Sequence, residues 1–123
     1  MTLSVSTQAA PIGTKLVVND DADSTPETDV TGAAGALYGV EVDNSANPGA
    51  AVYLKIWDNA APDPLTDAPD WVVQVKAGLE RSFVIPQGWA FTNLSFSAST
   101  SAALGVAGAS DPASAVTVRL VTN

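Results

Sequence analysis

Apolar residues recur at every second position along most of this chain, and no segment shows an apolar 3.6-residue period of helix length. Ile12, Thr14, Leu16 and Val18 alternate with Gly13, Lys15 and Val17, which predicts one short strand. Tyr38, Val40 and Val42 alternate with Gly39, Glu41 and Asp43. Across residues 51–58, Val52, Leu54 and Ile56 share one face, with Tyr53, Lys55 and Trp57 on the other. Trp71, Val73 and Val75 form the apolar face of the next strand, closed by a Lys76-Ala77-Gly78 turn. Leu79, Phe83 and Ile85 then line up, and Ile85-Pro86-Gln87-Gly88 suits a β-turn with proline second. Trp89 and Phe91 are odd-numbered whereas Leu94 and Phe96 are even, so one extra residue near Thr92 and Asn93 predicts a β-bulge. After a Ser/Ala-rich stretch carrying Leu104 and Val106, the last strand alternates Val116, Val118 and Leu120 with Thr117, Arg119 and Val121.

Seven or eight short strands, separated by Gly, Pro, Asn and Asp clusters, predict an all-β antiparallel β-sandwich. Periodicity leaves immunoglobulin-like and jelly-roll-like connections both open. The length, 123 residues, fits a single domain. Within it, residues 1–35 read as a polar, acidic arm with one short strand, and residues 36–123 as the sandwich body. Five acids between Asp20 and Asp29 make residues 19–29 too polar to bury, so an exposed loop is expected there.

Composition agrees with strands. Fifteen valines stand against nine leucines and three isoleucines, and β-branched side chains favour a pleated surface over a helix. The absence of cysteine and histidine removes a disulfide scaffold, a thiol nucleophile, a Cys/His zinc site and any Ser-His-Asp triad. A net charge of −8, with five scattered basic residues, argues against nucleic acid and anionic membrane as partners. The N-terminal residues lack the basic start and apolar run of a signal peptide, so a cytosolic site of assembly is expected.

Candidate chemistry is sparse. Asp20, Asp21, Asp23, Glu27 and Asp29 could supply oxygen ligands to calcium, but their spacing fails the EF-hand pattern and a solvated loop is the simpler reading. No two carboxylates are marked as an acid/base pair, and no serine stands in a motif with Lys55 or Lys76, so no catalytic, metal or cofactor residue is assigned. Residues 58–70 carry three prolines and form a stiff loop suited either to connecting strands or to contacting a partner. Tyr53, Trp57, Pro62, Pro64 and Leu65 are therefore the candidate partner-contact residues. If the second face of residues 51–58 is exposed, Tyr53 and Trp57 make a subunit interface or a sugar-stacking platform; if it is covered, they are ordinary core.

The run Ala51-Val-Tyr-Leu-Lys-Ile-Trp-Asp58, the proline-rich loop and Trp71-Val-Val-Gln-Val-Lys-Ala-Gly78 resemble small β-sandwich virion proteins of tailed bacteriophages. Arg81-Ser-Phe-Val-Ile-Pro-Gln-Gly-Trp-Ala-Phe91, Leu94-Ser-Phe-Ser-Ala98 and the valine-rich final strand extend the resemblance. It implies a capsid decoration (cement) protein on the virion surface, assembled in the host cytoplasm. The implied partners are the major capsid protein lattice and further copies of the chain, as a homo-oligomer with a trimer expected. It carries over no catalytic residue and no cofactor. A tail, neck or head-fibre component, and a stand-alone carbohydrate-binding module, are the alternatives.

Overall fold

The seven strands are β1 (Lys15–Ala22), β2 (Gly35–Asp43), β3 (Val52–Asp58), β4 (Trp71–Val75), β5 (Glu80–Phe91), β6 (Leu94–Ser99) and β7 (Val116–Thr122). They belong to a computed structural model that describes residues 13–105 and 109–123, so the expectations at Ile12 and Val106 lie outside the described residues. Two antiparallel sheets result, ordered β1-β7-β2-β5 and β4-β3-β6. The fold is a small all-β sandwich with no helix among the described residues. In the constant-type immunoglobulin arrangement the last strand lies beside the sixth. Here β7 is inserted between β1 and β2 in the opposite sheet.

The alternation supplies the two inner faces. Leu37, Val40, Val42, Val118 and Leu120 from the first sheet meet Val52, Leu54, Ile56, Val73 and Phe96 from the second, all buried. Each such side chain contributes roughly 1.5–3 kcal/mol by leaving water. At one end of the sandwich a buried polar knot closes the layers. Asn44 Nδ2 donates to Ala50 O at 3.0 Å and Lys76 O at 3.2 Å. Asn47 Nδ2 donates to Asn44 Oδ1 and to Ser114 O, both at 3.0 Å, and its Oδ1 accepts from Ser114 N at 2.8 Å. These amides join the β2–β3 loop to the β4–β5 turn and to the approach to β7. The Lys76-Ala77-Gly78 turn forms as expected, with Leu79 N donating to Lys76 O at 3.2 Å and Gly78 at φ 71°.

Four local expectations are corrected. Thr92 and Asn93 are not a bulge within one strand; they are the corner at which the chain passes from β5 in one sheet to β6 in the other. A corner and a bulge shift the phase alike, so period alone does not separate them. Ile85-Pro86-Gln87-Gly88 does not end its strand. It is extruded from β5, which pairs with β2 on both sides, through Gly39↔Val84 and Leu37↔Trp89. Opposite it, β2 carries Tyr38 as an extra residue against β7, so Leu37 rather than Tyr38 turns into the core. The two irregularities fit together: a Cβ on Gly88, at φ 73°, would lie 2.7 Å from Tyr38 Cε1. Leu79 is exposed in the turn and does not line up with Phe83 and Ile85.

The fourth correction concerns residues 19–29. Asn19–Ala22 continue β1, and Ala22 is buried. Beyond them the chain runs along the free edge of β6. Ala98 N donates to Asp23 O at 2.7 Å, Glu27 and Phe96 exchange N–H···O bonds at 2.8 and 3.0 Å, and Val30 N donates to Leu94 O at 2.8 Å. Asp20, Asp21, Asp23 and Glu27 face water while the backbone pairs; Asp29 is half-buried, its Oδ1 buried without a partner among the described residues. Side-chain polarity thus predicted exposure correctly for four of the five carboxylates and missed the ladder beneath them.

Candidate functional site

The proline loop and the second face of β3 come together, but as an interior. Trp57 is 2% exposed, and its Nε1 donates to Asp67 O at 2.9 Å. Pro62 is buried and Pro64 half-buried; of the loop's candidates only Leu65, 45% exposed, stands out in water. Tyr53 is half-buried, its hydroxyl accepting from Gln74 Nε2 at 3.3 Å. Residues 59–70 therefore fold back over the outer face of β3, and Trp57 takes the covered, core-like place among the readings its position allowed.

The loop's carboxylates hold its own backbone. Asp58 Oδ1 accepts from Thr92 N at 2.8 Å and Asn93 N at 2.9 Å, which fixes the sheet-to-sheet corner. Asp70 Oδ2 accepts from Asp58 N at 2.7 Å, Asp67 Oδ2 from Asp63 N at 2.8 Å, and Asp63 Oδ1 from Leu65 N at 2.9 Å. Beside Trp57, Lys55 is also 2% exposed; its Nζ donates to Ala103 O at 2.9 Å, and burial lowers its pKa from the usual 10.5. Among the described residues no group of three His, Cys, Asp or Glu side chains is placed to hold a metal ion.

Two margins of the sandwich are open. Between β1 and residues 27–30 lies a polar groove of about 540 Å³, bordered by Val18, Asn19, Glu27 and Asp29. Between the edges of β4 and β5 a smaller cleft of about 230 Å³ is lined by Trp71, Arg81 and Phe83. There Trp71 meets Trp89 edge-on at 6.0 Å, and Arg81 Nη1 donates to Gln74 O at 2.8 Å, bridging the two sheets. The buried Trp71 Nε1 has no acceptor among the described residues.

The outer face of the four-stranded sheet is different in kind. Register places Leu16, Val121, Gly39 and Val84 in one transverse row across β1, β7, β2 and β5. Leu16 is 64% and Val84 70% exposed, and Val121 is half-buried. With no side chain at Gly39, the row dips at its centre into a groove of about 200 Å³. The next row is Val18, Arg119, Glu41 and Ser82, in which Arg119 Nη1 binds Glu41 Oε1 at 3.0 Å. The row after that sets Asp43 directly opposite Glu80, beside Thr117. Two hydrogen bonds from Ser45 lower the pKa of Asp43 below its usual 3.8. This face therefore carries an apolar row and, beyond the Arg119–Glu41 ion pair, two further acidic side chains. Val84 and Val121 fall on the polar phase of their strands, but the alternation predicts Leu16 and Val18 on the apolar phase of β1. The structure corrects this, turning Val17 toward the core and leaving Leu16 and Val18 exposed.

No family model, no curated protein and no solved structure matches this chain.

Proposed function

We propose that the protein is a virion structural protein, a capsid decoration (cement) protein of a tailed bacteriophage that adheres to the major capsid protein lattice and stabilises it. The observation that supports the reading is the apolar-striped face of the four-stranded sheet, left uncovered by the described residues. Antiparallel sheets that face water alternate polar residues outward, and exposed branched aliphatics in register are surface suited to adhesion. A protein that binds only the assembled lattice stabilises that state by mass action. The carboxylates of Asp58, Asp63, Asp67 and Asp70 are bonded to backbone N–H groups of the loop and of the Thr92–Asn93 corner, which favours a rigid adhesive body over a catalyst. The trimer remains part of the proposal.

Quantitative mass spectrometry of purified particles tests it. The expected copy number equals the number of equivalent shell lattice positions. A handful of copies per particle places the protein in the tail or neck, and mature heads without it overturn the proposal. A carbohydrate-binding module is the second reading, favoured by the half-buried Trp71 lining the cleft between β4 and β5 with Arg81 and Phe83. Glycan binding that is lost in Trp71→Ala would select it.

A further inference from the structure

We propose that the outer face of the four-stranded sheet docks a partner protein segment that presents branched aliphatic side chains flanked by lysine or arginine. The inference deepens the decoration reading, on which the identity of the partner as a shell protein rests; the chemistry of the contact rests on the face itself.

Three features of the face select this occupant. Leu16 and Val84 stand at the two ends of the apolar row, and Gly39 leaves a notch between Val84 and Val121. The row thus has raised ends and a hollow centre, a shape that receives an aliphatic ridge crossing the strands. The charge on this face is net negative, its excess lying one row beyond the balanced Arg119–Glu41 pair. Asp43 and Glu80 sit directly opposite each other on adjacent strands, two acidic side chains in contact, with Asp43 held chiefly by hydrogen bonds from Ser45. Of the five basic residues only Arg119 falls in these rows, and Glu41 already holds it. A cation brought by a partner meets the excess acid of Asp43 and Glu80, while the ridge removes Leu16 and Val84 from water. A second copy of the chain is the poorer occupant. It carries −8 itself and would bring to this face only its own engaged Arg119.

Chemical-shift mapping on the full ¹⁵N-labelled chain tests the chemistry with a synthetic peptide of alternating leucine and lysine, against a control of alternating leucine and glutamate. The expected perturbations lie on the outward positions of β1, β7, β2 and β5, and the control peptide produces none. Val84→Asp and, independently, Leu16→Asp weaken binding about tenfold or more, with thermal melts close to wild type because both sites are exposed. Asp43→Asn combined with Glu80→Gln weakens it about three- to tenfold and flattens its salt dependence. Equal binding of both peptides, perturbations centred on residues 59–70 or the β4–β5 cleft, no perturbation at all, or self-association through this face that Val84→Asp abolishes would each overturn the inference.

Rebinding to heads stripped of this chain separates the two proposals. Wild type that rebinds while Val84→Asp does not supports both. If Val84→Asp rebinds as well as wild type, the docking face is wrong and decoration stands. If wild type does not rebind yet takes the leucine–lysine peptide on this face, decoration is wrong and the docking chemistry stands.

Discussion

The two outer faces of the sandwich invert the usual relation between polarity and exposure. On the three-stranded sheet the outward positions of β3 and β6 include Lys55, Trp57, Ser95, Ser97 and Ser99, all buried, while Val72 on the edge strand β4 is exposed. On the four-stranded sheet they hold Leu16, Val18 and Val84, and these are exposed. The difference is the cover. Residues 59–70 lie over Trp57, Ala103 reaches Lys55, and Asn59 O accepts from Ser95 Oγ, so the polar groups of Trp57, Lys55 and Ser95 have partners beneath the cover. A face roofed by the chain's own loops tolerates polar residues when they are bonded. A face left bare with aliphatics carries unused adhesive capacity.

The largest way to break that comparison is to remove the roof's main anchor. Trp57→Ala empties the volume under residues 59–70 and deletes the bond to Asp67 O. A loss of about 3–5 kcal/mol in chemical denaturation is expected. Val84→Ala, on the bare face, is expected to change stability by no more than about 0.5 kcal/mol. Trp57→Phe sharpens the contrast by keeping most of the packing, with a cost near 1 kcal/mol for the lost hydrogen bond. Similar costs for Trp57→Ala and Val84→Ala would mean that the covered and bare faces are energetically alike.

How much of this was readable beforehand follows from what each signal reports. Val52, Leu54 and Ile56, like Val116, Val118 and Leu120, point inward as their alternation requires, because a strand fixes side-chain phase at every residue. Phase does not name the neighbour. Trp57 and Val84 both occupy outward phases, and only the return path of residues 59–70 makes one core and the other surface. The Thr92–Asn93 corner was visible as a phase shift but not as a change of sheet. Residues 23–30 were unreadable as an edge partner of β6 because their ladder is made of backbone groups, which every sequence carries.

The corner itself offers the next effect in size. Asp58 Oδ1 takes both N–H groups of Thr92 and Asn93, on the way from the four-stranded to the three-stranded sheet. Asp58→Ala leaves both donors to water and is expected to cost about 1–2 kcal/mol in urea unfolding. Asp58→Asn, which keeps one acceptor oxygen, should lose less. An Asp58→Ala protein as stable as wild type would show that the corner holds without its clamp.

Lys55 tests the roof through pH. Its folded-state pKa is lowered from 10.5 by burial, so between that lowered value and 10.5 the unfolded chain holds more protons than the folded one. Stability owed to Lys55 therefore rises with pH across that window. Lys55→Met keeps similar bulk without the titrating group. Guanidinium midpoints for the two proteins, followed from neutral to alkaline pH, should shift steadily in favour of wild type. Parallel curves would place the Lys55 ammonium in a water-like setting and weaken the case that the second roof segment seals it.

The smallest expected effect lies at the margin of the covered sheet, where Asp111 ties down the acidic segment that borders β6. Its Oδ1 accepts from Ser24 N at 3.0 Å and from the Ser24 hydroxyl, and these two bonds lower its pKa below 3.8. The carboxylate is exposed, so water competes for the same contacts and the gain is slight. It is fully present above pH 3.8 and is lost as pH falls through the lowered folded value. Asp111→Asn should therefore be marginally less stable than wild type near neutrality and indistinguishable from it in strong acid. Global melts barely register so small a change, and amide exchange reads it locally. The Ala98 N–H bonded to Asp23 O should exchange faster in Asp111→Asn at neutral pH, while Leu54 in the centre of β3 stays as protected as before. Unchanged exchange at Ala98 would show that the backbone ladder along β6 holds the acidic segment by itself, and that the edge of the covered sheet owes nothing to the tether.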